Sequence, residues 1–513
     1  MTRDTLRASS LPHKSRLFVA AVFFALCVAP TFISYQPYLF RWDDSEYLFR
    51  SVALSRAFWT ANLHGIGAAV VSIRPPAMTL LGLPWGPLTS WDAAGKCFVT
   101  LASGIALLAA LCLYMLLRIG VKPIFLVLAS VCVLASMGPW PPGANAHATA
   151  TAFLADSLFA WMALAAVLLI PYEARNPCAS IKGAVLRGLL WGVILSLGAM
   201  TKFSFLYFVL LIVPIVFFTS FRHSGLRSAL TALTAFACCS APAAFYLLRW
   251  GRLAFRNAKA SSFGGVAGFY YIPLLQFIRN TIRESPGLAL SYVLMAAAVV
   301  YLVTKRQFIG ASPDLLPYLI MLGFFVTLLV APNRQIRYAF PAIVALPFLT
   351  AILMSAKSIP VPRQSSALAA GLVFCGLVAA GVPTRHRPMR QTLSRSEAVL
   401  AEAARCNAKR LILATDSPTL NKNLMDLAAE FSRSGASVEA DTLAYSAMSG
   451  VPVGQDFRTI SESDEVVFQD KDALSPPFTN QRASEYERYT QQVLYVPARL
   501  GDDLTIYSAH CGP

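Results

Sequence analysis

Apolar runs long enough to cross a bilayer, roughly 17–25 residues, dominate this chain. Eleven such runs recur from Leu17 to about Pro383, centred near residues 26, 105, 130, 160, 193, 211, 237, 295, 322, 346 and 374. In lipid a backbone must satisfy its own hydrogen bonds, so helices are the fold open to segments of this kind. Charged residues are 13% of the 513 and hydrophobic ones 56%, against about 25% charge in soluble domains. The reading is a polytopic α-helical membrane protein of about eleven transmembrane helices over residues 1–384. A small C-terminal α/β domain follows over 385–513. The first run comes after Arg3, Arg7, Lys14 and Arg16, is long and lacks a small-residue cleavage site, which predicts an uncleaved anchor.

Charge sets the orientation. The formal net charge is +17, yet residues 385–513 hold 14 Lys/Arg against 17 Asp/Glu, so the membrane half is strongly basic. Its excess lies in alternate short loops: Arg118 and Lys122, Arg175 to Arg187, Arg222 and Arg227, Lys305 and Arg306, Lys357 and Arg363. The positive-inside rule makes that face cytoplasmic and explains the basicity without nucleic acid. The other face then carries a long first loop (about 36–92), a second at 139–148, a third at about 249–286, and the tail. In the first loop, Leu48 to Phe58 reads as an amphipathic helix lying on the membrane. In the tail, 410–415, 465–468 and 492–496 read as strands, with helices at 421–434 and 482–491. Of ten cysteines, only Cys406 and Cys511 lie in this polar tail; in an oxidising compartment they can pair.

Chemistry concentrates on the outer face. The membrane half has nine acidic residues, and three of them, Asp43, Asp44 and Glu46, sit within four positions just after the first apolar run. Carboxylates at a membrane boundary are costly and therefore mark a site. They can hold a metal, take a proton from a nucleophile, or pair with neighbours such as Arg41 and Arg50. In a helix Asp43 and Glu46 share a face. Arg74-Pro75-Pro76 places a cation on a stiff backbone. Asp156 is the acid of its span. Lys202 follows Thr201 at the turn between two spans. Arg256, Arg334, Arg337 and Tyr338 belong to a stock of outer cations and neighbours that topology alone disfavours; guanidinium forks suit phosphate oxygens.

Taken together, the set resembles the type C membrane glycosyltransferases, and within them the protein O-mannosyltransferase and lipid A aminoarabinose transferase group. The resemblance covers roughly residues 17–350. It rests on Asp43-Asp44 in the first outer loop, Arg74-Pro75-Pro76 where the group has Lys-Pro-Pro, Asp156, Thr201-Lys202 with Phe203 in place of Gly, and Arg334-x-x-Arg337-Tyr338. It implies a polyprenyl-phosphate-linked sugar donor, an extracytoplasmic acceptor, and Asp43 in the catalytic position with Asp44 beside it. Glu46, Arg74, Asp156, Lys202, Arg256, Arg334, Arg337 and Tyr338 are the expected substrate-binding residues. No metal or other cofactor is expected, although a carboxylate trio can bind a divalent ion. The expected location is a bacterial inner membrane, with the C-terminal domain outside. The rival reading is a transporter or flippase of lipid-linked sugars, but such sites lie near the bilayer midplane within internal repeats.

Overall fold

The computed structural model describes residues 20, 42–70, 74–90, 92–137, 155–178, 180–263, 271–284, 300, 304, 312–330, 334, 336–356, 389–414, 417, 420–431, 438–443, 453–470, 482–493, 496–509 and 511. The runs centred near 26, 295 and 374, and the outer loop at 139–148, lie outside them. The other eight runs are all helical: α3 (Ala93–Ile119), α4 (Pro123–Met137), α5 (Ala155–Arg175), α6 (Ile181–Thr201), α7 (Leu206–Ser224), α8 (Leu226–Phe263), α10 (Ser312–Val330) and α11 (Ile336–Ala356). Among the described residues, six helices are long and apolar enough to cross a membrane, and two shorter apolar ones accompany them. α1 (Trp42–Trp59) and α2 (Leu63–Val70) precede the bundle, and α9 (Leu274–Glu284) stands between α8 and α10.

α5 is the axis of the bundle. Every residue from Ala155 to Ile170 is buried, and α3, α6, α7, α10 and α11 pack around it. α6 and α8 lie close along much of their length because α6 presents glycine to its partner. A Cβ on Gly188 would fall 2.0 Å from the Ala232 carbonyl oxygen.

Helix ends interlock in a way that sorts the two faces. Arg175, ending α5, donates to the Ile119 carbonyl ending α3 (2.5 Å) and to Asp314 in the first turn of α10 (2.6 Å). The Lys122 amide donates to Ser355 Oγ near the end of α11 (3.0 Å). The Cys178 amide donates to Ser224 Oγ ending α7 (3.0 Å), while Ser228 Oγ at the start of α8 donates to the Cys178 carbonyl (2.9 Å). The opposite ends, where Asp156, Lys202, Arg337 and the C-terminal part of α8 sit, therefore share the other face.

Two expectations are refined here. The stretch from 249, expected to be loop, continues α8 to Phe263, so Arg249, Arg252 and Arg256 stand on a helix. The helix expected over Leu48 to Phe58 is longer than predicted, running over Trp42–Trp59.

The tail begins with α12 (Met389–Arg405) and builds a five-stranded sheet: β1 (Arg410–Leu413), β2 (Glu439–Thr442), β3 (Glu465–Gln469), β4 (Val496–Leu500) and β5 (Leu504–Ser508), in the order β2-β1-β3-β5-β4. β2, β1 and β3 are parallel, whereas β5 and β4 join antiparallel. α12 and α13 (Lys422–Phe431) cover one face, packing Val399, Ala403 and Met425 on Leu411 and Val467. α14 (Val453–Ser461) and α15 (Ala483–Gln492) cover the other through Ile460 and Tyr486. The expected strand at 492–496 is corrected: α15 runs to Gln492, and the strand begins at Val496. Cys406 and Cys511 are disulfide-bonded, with Cα atoms 5.2 Å apart. This ties the end of α12 to the chain after β5.

Candidate active site at one end of the bundle

α1 starts at Trp42, which puts Asp43 and Asp44 in a first turn. Unpaired amides and the helix dipole favour carboxylates there. Their side chains lie outside the described residues. The rest of α1 is anchored by small hydroxyls: Ser51 Oγ donates to the Met78 carbonyl (2.8 Å), and Ser55 Oγ bonds the Gly86 carbonyl. These carbonyls flank the 3-10 turn Met78–Trp85. That turn has little room to move, since a Cβ on its Gly82 would meet the Ser51 carbonyl oxygen at 2.6 Å.

Glu46 is held from two sides. Arg50 Nε approaches one carboxylate oxygen at 3.1 Å and Arg74 Nε the other at 2.6 Å. The Arg74 guanidinium also lies 5.4 Å from the ring centre of Tyr47. Glu46 thus acts as the socket for Arg74, realising for this acid the pairing with neighbouring arginine that the sequence left open. Past the buried Pro75 and Pro76, the Ala77 amide donates to the Met200 carbonyl at 2.9 Å. One backbone bond therefore joins the Arg-Pro-Pro segment to the end of α6.

Lys202 is the next link. α6 stops at Thr201, and Lys202 turns extended while its amide donates to the Gly198 carbonyl at 3.2 Å. Phe205 fills the space over Gly198, where a Cβ would lie 2.3 Å from its ring. With the backbone so placed, the Lys202 ammonium pairs with Asp156 and lies 4.8 Å from the ring centre of Tyr338 and 5.6 Å from that of Phe159. The Asp156 side chain is 6% exposed and that of Lys202 26%. Arg337 reaches the same tyrosine: its Nη2 donates to the Tyr338 hydroxyl at 3.3 Å, and its guanidinium carbon is 5.1 Å from the ring centre. Two cations, one just past α6 and one on α11, thus lie against one aromatic ring.

The structure brings together Glu46 and Arg74, then Asp156, Lys202, Tyr338 and Arg337, with the Ala77–Met200 bond between the two groups. Arg334 does other work. It donates to the Ile272 carbonyl at 2.6 Å and stacks 5.5 Å from Tyr271, pinning the segment before α9. Arg256 is exposed on α8, next to Phe255, whose ring lies 5.8 Å from that of Phe203. Sequence reasoning missed Phe159, Gly198 and Phe205. Phe159 stands one turn beyond Asp156, so a helical reading of that span offered it. Among the described residues, the one cluster of three potential metal-ligand atoms is Glu402 with Cys406 and Cys511, and there the thiols are spent in the disulfide.

No family model matches the sequence, nor does any curated protein. Solved structures do match. The archaeal oligosaccharyltransferase AglB from Archaeoglobus fulgidus, in complex with an inhibitory peptide and a dolichol-phosphate, aligns at a TM-score of 0.50 with 11% identity, over 88% of this chain and 69% of its own. The chain shares the fold of that oligosaccharyltransferase. An apo oligosaccharyltransferase from Archaeoglobus fulgidus aligns at 0.47 with 11% identity, over 82% of this chain; the chain spans 64% of that protein's length. ArnT from Cupriavidus metallidurans, bound to undecaprenyl phosphate, aligns at 0.46 with 13% identity, over 98% of this chain and 99% of its own.

Proposed function

We propose that the protein is a glycosyltransferase moving a sugar from a polyprenyl-phosphate donor to an extracytoplasmic acceptor, with Asp43 as general base. The observation that carries this reading is the convergence of Lys202 and Arg337 on Tyr338, at the end of the bundle that also holds Arg74. Phosphate is already a good leaving group, so no general acid is needed. Asp43 takes the acceptor hydroxyl proton, the oxygen attacks the anomeric carbon, and the bond to phosphate breaks with inversion. Developing charge on the departing polyprenyl phosphate is met by Lys202 and Arg337, with Arg74 and Arg256 around the donor's path. Asp44 assists Asp43 at the head of α1.

The outer placement draws support from two independent features. Arg118, Lys122, Arg175, Arg187, Arg222 and Arg227 lie at or near the opposite helix ends, the side a basic bias makes cytoplasmic. The Cys406–Cys511 disulfide suits an oxidising compartment for the tail. A bacterial inner membrane fits both. These charges lie at one end of the bundle, which favours a transferase over the transporter reading.

Purified protein, supplied with polyprenyl-phosphate sugars and envelope acceptors, tests the proposal. Wild type should transfer sugar, and Asp43→Asn should lower kcat by about 10²–10⁴ at unchanged thermal stability. Full activity in Asp43→Asn would remove Asp43 from the base role.

A further inference from the structure

The tail domain grips the helix that bears the candidate base. α13 lies along α1 and meets it at two points. At the first, Ser45 Oγ donates to Asn421 Oδ1 at 3.4 Å, with Ser45 fully buried and Asn421 1% exposed. At the second, Arg56 pairs with the Glu430 carboxylate, donates through Nη2 to the Glu430 carbonyl at 3.0 Å, and sits 5.9 Å from the Phe431 ring centre. Between them Leu424 and Leu427 are fully buried and belong to the hydrophobic core of the membrane bundle, not to the core of the tail. The spacing is consistent with two helices running in the same direction. Ser45 to Arg56 rises about 16 Å and Asn421 to Glu430 about 14 Å along their axes.

Asn421 is built for this place. Its Oδ1 also accepts the Leu424 amide at 3.1 Å, and its Nδ2 donates to the Ser417 carbonyl at 3.1 Å. One buried side chain therefore starts α13 and touches the residue next to Asp44. Resting on the transferase reading above, we infer that the tail is a working part of the transfer site: α13 fixes the rotation of α1, and Asn421 and Glu430 are positioning residues for the carboxylates at its head.

Geometry sets the sensitivity. Side chains end about 5–6 Å from a helix axis, so a 10° rotation of α1 shifts them by about 1 Å, and a 1 Å misplacement can cost about 10²-fold in rate. Lys202, just past α6, and Arg337, on α11, stand away from α13 and should keep their places, whereas Glu46 and the Arg74 it holds move with α1.

The experiment compares full-length wild type with Asn421→Ala, Asn421→Asp and Glu430→Gln, measuring kcat, donor KM and hydrogen exchange across residues 42–59. The expected result is a 10- to 100-fold fall in kcat for Asn421→Ala and Glu430→Gln, with a rise in donor KM smaller than that of Glu46→Gln and faster exchange in α1. Asn421→Asp, which keeps the acceptor oxygen and the cap, should recover most of the rate. Should Asn421→Ala not fold, Glu430→Gln decides alone, since that side chain is 31% exposed. Wild-type kcat in Glu430→Gln would overturn the inference. If wild type itself transfers no sugar, the transferase reading fails, and unchanged exchange in α1 of the variants would overturn the clamp separately.

Discussion

Replacing Lys202 by Met separates a structural ion pair from a phosphate ligand. Asp156 is 6% exposed and its ammonium partner 26%, and removing one member of a buried pair costs about 3–5 kcal/mol. With Lys202 partly open to solvent, the lower end, about 3 kcal/mol, is expected, to which loss of the contact with the Tyr338 ring adds about 1 kcal/mol. Asp156→Asn/Lys202→Met removes both charges and should return stability to within about 1 kcal/mol of wild type. Activity should behave differently. Losing one cation from the departing phosphate lowers kcat by about 10²–10³, in the single and the double variant alike. Thermal unfolding in detergent and initial transfer rates, run on the same preparations, give both numbers. If the double variant transfers at the wild-type rate, Lys202 is structural and the phosphate assignment fails.

Gly198→Ala drives a methyl to within 2.3 Å of the fully buried Phe205 ring; it should cost about 1–3 kcal/mol by overpacking and shift Lys202, whose amide bonds Gly198. Phe205→Leu in the same chain should recover part of the melting temperature, and a neutral Gly198→Ala would contradict the packing described. Glu46→Gln takes the charge from between Arg50 and Arg74, so donor KM should rise about tenfold, or about 1.4 kcal/mol, while Arg50→Gln, which leaves the Arg74 contact, should change KM less. In the tail, burial and the nearby Glu402 and Asp464 push Glu465 up to about 7 from 4.5. An acid whose folded pKa is raised contributes stability below its unfolded pKa that is lost as pH rises through the folded one, here between about pH 4.5 and 7, by about 3 kcal/mol. Burial acts on Asp426 in the same direction, raising it to about 6. Melting of the tail should therefore fall from pH 5 to pH 8, and Glu465→Gln should flatten that slope.

Much of the bundle was legible because lipid imposes a run length, which is why even the short break Met200 to Phe203 could be read as dividing two helices, as it does. The reach of α8 was hidden. Arg249, Arg252, Arg256 and Lys259 depress hydropathy and look like loop, although their spacing of three and four is helical. The sheet was half legible: β1 and β3 are apolar runs, whereas edge strand β2 reads Glu439-Ala440-Asp441-Thr442, with no pattern to betray it. Val493, Leu494 and Tyr495 suggested a strand that starts only at Val496. At the site, Arg50 lies one turn from Glu46 and was visible as a partner. The pairings of Glu46 with Arg74, Asp156 with Lys202, and Ser45 with Asn421 span 28, 46 and 376 positions. They are products of tertiary packing, and no local pattern encodes them.

The Asp156–Lys202 pair also bears on turnover. An ammonium already matched by a carboxylate holds a phosphate less tightly than an unmatched one, since the incoming anion must share it. Under the proposed function, that would cost affinity for the donor and equally for the polyprenyl phosphate left behind, and so would speed release of the lipid product from Lys202 and Arg337. Interactions that bind ground state and product as well as the transition state do not raise kcat. Asp156→Asn should therefore tighten binding of undecaprenyl phosphate, by about tenfold if the competition is worth about 1.4 kcal/mol, and slow turnover under conditions where product accumulates. Equilibrium binding of the lipid phosphate to wild type and Asp156→Asn measures this without any acceptor. Weaker binding in the variant would mean that Asp156 serves to hold Lys202 in place for the phosphate, and that the carboxylate does not compete for it.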